Sequence, residues 1–486
     1  MNKSETSIKH RLHPVSILYF VMIAIKESLS FIWPVPLLAL FIHKLGSHIP
    51  AFIIIIALSS LLIIAFFIMG VLRWRAFSYQ IHEKAIYIES GLFVTKKRWV
   101  QPDRIQSVDS TVRVYDHLFS TRTLTIELAG GDESSIILSC ISKEEEQRIR
   151  TVLKAESNSR PINHSVESMF QLYKNDLILH SLLSPKFGIV LTLLSLGLLK
   201  YRDITKDTDR DTLFTCLSGW FGSNWIMITV VMLVVLSFAL SLLLTFATDY
   251  HFTLSKNAKG ELEIEQGLFE KKKRTIDPNR IQAILIIEPL IHRLLGFVSI
   301  KAVVIRNSPN EQSQKTITIL PFVKKEKAHS MLEPFTGYRR NRNLRMLTKE
   351  ARLHYMVLPF TAGCLLSIPI WMLLPHPFHY LTAILPLALL WAGWMGYRRT
   401  RWNQSSRFLT LQYGTFARRT AIIKHGRIQW AALGQTVMQE RKNLASIKVA
   451  VASGKENVKF SLNHIPIESA TEIYQHAIKI PKNLVD

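Results

Sequence analysis

Gly91-Leu92-Phe93, then Lys96-Lys97-Arg98, then Arg104-Ile105-Gln106 is a phrase that this chain states three times. The second copy reads Gly267-Leu268-Phe269, Lys271-Lys272-Lys273-Arg274 and Arg280-Ile281-Gln282. The third reads Gly414-Thr415-Phe416, Arg418-Arg419 and Arg427-Ile428-Gln429. In each copy the arginine follows the glycine by 13 positions. Recurrence at one fixed offset marks an internal triplication, which has to be recognised before any fold is assigned.

Ahead of each copy stands a pair of apolar runs. A helix crossing a bilayer needs about 20 mostly apolar residues at ~1.5 Å rise each. Ile49 to Leu72 and Trp225 to Ala247 meet this with no charge, and Tyr355 to Leu374 and Leu381 to Tyr397 also reach it. Pro185 to Leu199 is shorter and includes Lys186, and Leu29 to Ile42 is interrupted by Pro34 and Pro36. The expectation is six transmembrane helices in three hairpins. Lys26-Glu27 breaks the run that starts at Val15. A charge at the bilayer centre costs about 2.5 to 3.5 kcal/mol on insertion scales. Val15 to Ser28 is therefore expected along the interface, the competing arrangement being one continuous tilted helix with a snorkelling lysine. The layout recurs: His180 leads Pro185, and His354 leads Pro359, by five positions. The first run has no small-residue cleavage site after it, so no cleavable signal peptide is expected.

Basic residues flank the hairpins, whose loops are poorer in them, His43 to Pro50 having one lysine and Tyr201 to Asn224 balancing its bases with aspartates. Lys9, Arg11, Arg73 and Arg75 bracket the first, and Arg345, Arg352, Arg398 and Arg399 bracket the third, while the loop Pro375 to Tyr380 has none. The positive-inside rule then predicts a multi-pass cell-membrane protein with both termini and all three soluble modules cytoplasmic. The formal net charge of +24, beside 48% hydrophobic residues, points to an anionic partner. Cys140, Cys216 and Cys364 are widely separated and form neither a metal spacing nor a disulfide framework.

The predicted boundaries are 1–75 for the first interfacial helix and hairpin, 76–155 for module one, and 165–248 for the second interfacial helix and hairpin. They continue with 249–337 for module two, 338–404 for the third interfacial helix and hairpin, and 405–482 for module three. Within module one, Phe77, Tyr79 and Ile81, then Leu124, Ile126 and Leu128, alternate with polar residues, as half-buried strands do. Gly91 and Gly130-Gly131 mark turns, and Ser142 with Glu145 forms a capping box opening a last helix. The other modules repeat this plan, ending in helices near Lys324 to Leu332 and Ile467 to Ile478.

The glycine, the basic cluster and the Arg-Ile-Gln phrase resemble those of the bacterial pleckstrin-homology domain, and three copies behind membrane hairpins resemble the YdbT-type membrane proteins. The resemblance implies a mixed α and β membrane protein, each hairpin followed by a PH-like β-barrel plugged by a C-terminal helix. It also implies a setting in the envelope, where relatives are connected with protection against membrane-active antimicrobial peptides. Thr415 departs from the leucine of the other copies.

Lys96, Lys97, Arg98, Lys271, Lys272, Lys273, Arg274, Arg418 and Arg419 follow the turn glycine and are candidate contacts to anionic lipid or a partner. Near an anionic leaflet each such cation gains about 1 kcal/mol. The competing reading is a solvated strand face, and nothing fixes a headgroup stereochemically. Gly91, Arg104, Gln106, Gly267, Arg280, Gln282, Gly414, Arg427 and Gln429 read primarily as structural, with ligand or oligomer contact as the rival role for the arginines. No catalytic or metal site and no cofactor is expected. Gly454-Lys455 lacks the rest of a phosphate loop, and His82-Glu83 lacks a second histidine at zinc spacing. Asp207, Asp209 and Asp211 lack the glycine and glutamate of a calcium loop. Arg73-Trp74-Arg75 and Arg398 to Trp402 abut spans, so they read as interfacial anchors and not as nucleic-acid contacts. The expected function is a non-enzymatic polytopic scaffold contacting anionic lipids and another membrane protein or further copies of itself. The alternative is a transporter or flippase of lipids or peptides.

Overall fold

The computed structural model describes residues 9–28, 42, 51–82, 85–92, 94–101, 104–128, 135–154, 167–183, 186–205, 219, 225–257, 260–305, 316–339, 343–373, 378–453 and 457–478. The expected first span Leu29 to Ile42 lies outside them but for Ile42. Gly130-Gly131, the aspartates 207, 209 and 211, and Gly454-Lys455 also lie outside.

Repeat one carries β1 (Ser78–His82), β2 (Ala85–Ser90), β3 (Lys96–Val100), β4 (Ile105–Val112), β5 (Thr121–Leu128) and β6 (Ser135–Ser142). Repeat two carries β7 (Glu167–Gln171), β8 (Thr253–Lys256), β9 (Leu262–Gln266), β10 (Lys271–Ile276), β11 (Ile281–Glu288), β12 (Phe297–Val304) and β13 (Ile317–Lys324). Repeat three carries β14 (Arg345–Met346), β15 (Arg401–Gln404), β16 (Phe408–Tyr413), β17 (Arg418–Lys424), β18 (Ile428–Gly434), β19 (Leu444–Val451) and β20 (Val458–Pro466); β7 and β14 precede their hairpins, so the strands of repeats two and three are counted from β8 and β15. Helices Lys143–Lys154, Lys325–Thr336 and Ile467–Ile478 close the modules.

The chain divides into two compact units, one of Met1–Ser165 with Phe269–Thr275 and Asn307–Pro309, the other of the remaining residues. In unit one, β1, β2 and β3 form one antiparallel sheet, and β6, β5 and β4 form a second. Both sheets and the closing helix share one core, with Tyr79, Ile86, Val100, Leu124, Leu138 and Ile149 buried together. The outer edge of β4 pairs with the segment 269–275, Lys271 opposite Val112 and Lys273 opposite Ser110.

Unit two repeats this arrangement. Its largest sheet runs β13-β12-β11-β17-β16-β15-β14, and β18-β19-β20 form a separate sheet. The central pairing joins β11 of repeat two to β17 of repeat three, from Ala283 opposite Ile423 to Glu288 opposite Arg418. This explains why β11, Ile-Gln-Ala-Ile-Leu-Ile-Ile-Glu, does not alternate. Ile284 and Ile286 enter the core of repeat two, while Ala283 and Leu285 enter that of repeat three. A strand buried on both faces has no polar side to show.

Two expectations are corrected here. The modules are open sheet pairs and not closed barrels, because the strand edge that closure requires is taken up in both units by the third strand of the following repeat. The span count is also revised: of the six expected, four are found among the described residues, where Ile53–Ala76, Met227–Asp249, Ala351–Met372 and His379–Arg399 are long and apolar enough to cross a membrane. A fifth results only if Lys174–Leu182 and Phe187–Leu198, bent by 49°, count together. Pro185 falls in the sequence between them, and proline cannot continue a helical hydrogen-bond ladder. Modules two and three also gain a strand from upstream of their hairpins, and module one a single bridge. β7 pairs with β8, β14 pairs with β15, and His10 bridges Tyr79.

Helix Ser16–Glu27 touches helix Ala51–Ala76 near the latter's end. Arg73 pairs with Glu27 at 2.8 Å, the Trp74 indole donates to the Leu12 carbonyl at 2.9 Å, and Phe20 meets Phe77 at 6.1 Å. The third hairpin packs through glycine, since a Cβ on Gly393 would lie 2.3 Å from the Tyr355 carbonyl oxygen.

One conformational constant was not visible in the phrase itself. Ser120, Gly296 and Asn443, each 29 positions after its repeat glycine, hold φ of 53°, 76° and 51°. A non-glycine residue there costs on the order of 1 to 3 kcal/mol, against about 0.5 to 1 kcal/mol of extra chain entropy for glycine. Ser120→Gly is expected to stabilise the full chain by about 0.5 to 1 kcal/mol in denaturant unfolding, and Phe119→Gly next to it is expected to give no gain.

Candidate functional site

The repeated phrase folds into a turn fastened to the end of a spanning helix. Gly91, Gly267 and Gly414 hold φ of 119°, 112° and 112°. A Cβ at Gly91 would lie 2.1 Å from the Val94 carbonyl oxygen, and one at Gly414 would lie 2.1 Å from that of Ala417, so no other residue closes these turns. In repeat two, the Gly267 N–H donates to the Tyr250 carbonyl, just past helix Trp225–Asp249, at 2.8 Å, and the Leu268 N–H to that of Ala247, in the helix's last turn, at 2.9 Å. In repeat three, the Arg399 guanidinium at the end of helix Ile384–Arg399 donates to the carbonyls of Thr415 and Phe416, the latter at 3.2 Å. In repeat one, the turn and the helix end line a cavity of about 480 Å³ with apolar walls from Phe20, Ile23, Met69 and Phe77. Glu27, Arg73 and Lys96 supply its charges.

The basic clusters become strands β3, β10 and β17. Lys96 and Lys97 are exposed, Lys97 lying 3.8 Å from Glu89, and Arg98 is half-buried. Lys271 to Lys273 run along the edge of β4, Lys272 lies 3.2 Å from Glu270, and Arg274 is buried. Arg418 pairs with Glu288, whose side chain is only 1% exposed and which also lies 3.7 Å from Lys325, whereas Arg419 is exposed. The set is thus divided between cations facing outward and cations used where repeats meet.

The phrase's arginines stand on short 3-10 turns. Arg104 is exposed, Arg280 is half-buried, and Arg427 donates to the Asn279 carbonyl of the preceding repeat at 2.5 Å. Gln282 is buried and donates to the Arg280 carbonyl at 2.8 Å, and Gln429 is exposed. The side chain of Gln106 lies outside the described residues.

A second repeated surface went unread in the sequence. After the fourth strand of each module comes a short helix: Val114–Leu118, Leu290–Leu294 and Val437–Glu440. Its apolar side chains point outward, with Leu118 79%, Leu294 79% and Met438 74% exposed. Each sits beside the chain that leads into a hairpin. Phe119 meets His13 at 6.4 Å, a His292 ring nitrogen lies 3.2 Å from the Leu183 carbonyl, and a His354 ring nitrogen lies 3.3 Å from that of Met438. The signal available was a short apolar group at a constant place in the repeat.

Burial, reinforced by a neighbouring histidine, pushes two imidazoles down to about 4: His292 beside His180 and His464 beside His354. Between pH 6.5 and about 4 the unfolded chain therefore binds more protons than the folded one. Stability is expected to fall as pH drops through that window, which the denaturation midpoint at stepped pH measures, and His464→Asn is expected to flatten the profile. For the pair between repeats, Glu288→Ala leaves the Arg418 guanidinium buried without its counter-charge and is expected to cost about 3 kcal/mol. Replacing both partners, Glu288→Leu with Arg418→Met, is expected to recover most of the loss in the same unfolding experiment.

Comparison with known proteins agrees with this architecture. The model of the bacterial PH domain matches residues 36–157, 191–334 and 356–479, and the second and third matches begin inside a hairpin and end at a closing helix. The UPF0699 transmembrane protein YdbT of Bacillus subtilis (strain 168) is 28% identical over 95% of this chain and 97% of its own length. With three successive matches spanning most of its length, the chain belongs to the bacterial PH domain family and is a membrane protein.

Proposed function

We propose that the protein is a non-enzymatic polytopic scaffold whose termini and three PH-like domains lie on the cytoplasmic side, holding anionic lipid at the inner leaflet and assembling with a membrane partner or further copies. The observation that carries this reading is the fastening of the repeat turn to the end of a span. A domain tied there cannot leave the membrane, so its exposed Arg419 acts at the bilayer surface, as do Lys96 and Lys97 of repeat one, where Lys96 lines a cavity with the helix end. The cavity beside Gly91 supports the same reading, since apolar walls with Arg73 and Lys96 suit an acyl chain under an anionic headgroup. A place in envelope protection against membrane-active peptides is the physiological setting we attach to it.

The orientation is tested by cysteine labelling in intact cells. A cysteine placed at Asp209 is expected to react with an impermeant reagent and one at Lys97 is not; labelling at Lys97 from outside would sink the arrangement. Lipid contact is tested by purifying the full-length protein from mixed bilayers and weighing the lipids it retains. Anionic lipid is expected to be enriched and lost as salt rises, because surface charges are screened within about 8 to 10 Å at physiological ionic strength. Lys96→Gln with Lys97→Gln is expected to reduce the enrichment. Movement of a labelled lipid or peptide across vesicles carrying the purified protein would favour a transporter instead.

A further inference from the structure

We propose that the protein assembles head to tail with itself, β18 of one copy pairing antiparallel with β3 of the next, in the register that already joins its own repeats. Two internal seams fix that register. In one, Lys271 stands opposite Val112; in the other, Arg418 stands opposite Glu288. Lys271 and Arg418 are each four positions after their repeat glycine, and Val112 and Glu288 are each 21 after theirs. The third strand of one repeat is thus added to the fourth strand of the repeat before it, twice, without a slip. Among the described residues, β18 is the fourth strand, and β3 the third strand, that has no such partner.

The two ends have the shape this leaves. β18 is the outermost strand of β18-β19-β20, and β3 is the outermost strand of β1-β2-β3. The surface of β18 differs from that of its counterpart β11. Seven of the eight residues of β11 are buried, whereas Gln429, Trp430, Ala432, Leu433 and Gly434 of β18 are exposed. Ile428 to Gly434 carries no charge. A long uncharged edge with exposed Trp430 and Leu433 is a template for another strand, and proteins that keep such edges apart place charge or proline on them. The cations of β3 are no barrier to pairing, since Lys271, Lys272 and Lys273 of β10 pair with β4 in the equivalent place.

Carrying the register across copies sets Trp430 opposite Val100, Leu433 opposite Lys97 and Gly434 opposite Lys96. Gln435 and Thr95 then occupy the places of Glu288 and Arg418, so the lock at this junction is a neutral polar pair in place of an ion pair. The ladder supplies main-chain hydrogen bonds by strand addition. Such an interface joins unlike surfaces, so it builds rings or open chains and not twofold dimers. Both copies share one membrane and one orientation, as the two ends of a single chain do.

This rests on the scaffold reading, whose partner it names. The test uses two full-length copies expressed together, one carrying Leu433→Cys and the other Lys97→Cys, oxidised mildly in native membranes. Directly opposed residues place their Cβ atoms about 4.5 to 5.5 Å apart, close to disulfide reach, whereas a neighbour one position on points to the other face. Cross-linked dimer is expected in at least ten-fold higher yield than for Leu433→Cys with Arg98→Cys, the unaltered chain serving as blank for Cys140, Cys216 and Cys364. Both substitutions in one copy are expected to yield a ladder of multimers. Absence of dimer, or equal yield from the Arg98→Cys pair, overturns the proposal. The unaltered protein weighed in nanodiscs gives a readout that needs no variant: multimers are expected, and a monomer at every concentration overturns it. Transport measured on the same preparation bears on the scaffold reading alone, so the two fail separately.

Discussion

An antiparallel sheet cannot stop without leaving a row of backbone N–H and C=O groups on its last strand. In this molecule the fourth strand of a repeat meets that demand by taking the third strand of the next. Much else depends on this choice. It opens what would otherwise be a closed barrel, and it makes β11 apolar throughout because both faces are covered. It also draws Glu288 and Arg418 into a site where charge is tolerated only as a pair. The cores interlock for the same reason, Ile422 of repeat three packing within the core of repeat two.

The second constraint is the short distance between module and membrane. The turn glycine follows the spanning helix closely in each repeat, and in repeats two and three the turn is held against the helix end by backbone hydrogen bonds or by Arg399. Upstream, β7 and β14 tie the chain that enters the hairpin to the same module. A module held on both sides of its own hairpin has little freedom to tilt, which is why the exposed helices Leu290–Leu294 and Val437–Glu440 lie beside the chain entering the membrane. Their exposed leucines and Met438 then carry a meaning that an isolated surface leucine does not.

Much of this was legible in the sequence, and what was not has physical reasons. The triplication, the four strong spans, the turn glycines and the closing helices all leave local signals: a fixed offset, an uncharged run, a residue needing positive φ, a capping box. The sheet partners leave none. Nothing in Lys271-Lys272-Lys273 says that its neighbour is Ser110 to Val112, because pairing is a property of two distant segments. The basic clusters look like one kind of surface in the sequence, yet Arg274 and Arg418 turn inward and Lys96, Lys97 and Arg419 outward. β7 and β14 escaped notice because short strands carry too few residues for a period. Arg427 was weighed as a structural group within its own module, whereas its acceptor, Asn279, belongs to the preceding one.

The seams also show how three similar repeats keep their order. Their backbone register is the same, so hydrogen bonding alone would let any third strand pair with any fourth strand. Side chains at the end of the ladder tell them apart. Arg418 faces Glu288, buried and within 3.7 Å of Lys325 as well. Lys271 faces Val112, and the acidic groups at this seam are Glu270, 3.9 Å from Arg113, and Asp109, which accepts from the Thr275 N–H at 3.2 Å. Exchange of the two strands would put Arg418 opposite a valine and set Lys271, a single ammonium in place of a forked guanidinium, opposite Glu288. A guanidinium moved from a buried carboxylate to a valine loses its counter-charge, so the wrong order is disfavoured by that loss as much as the right order is favoured by a contact. A uniform ladder thus gives the array its continuity, and a few dissimilar residues at its rim give it direction.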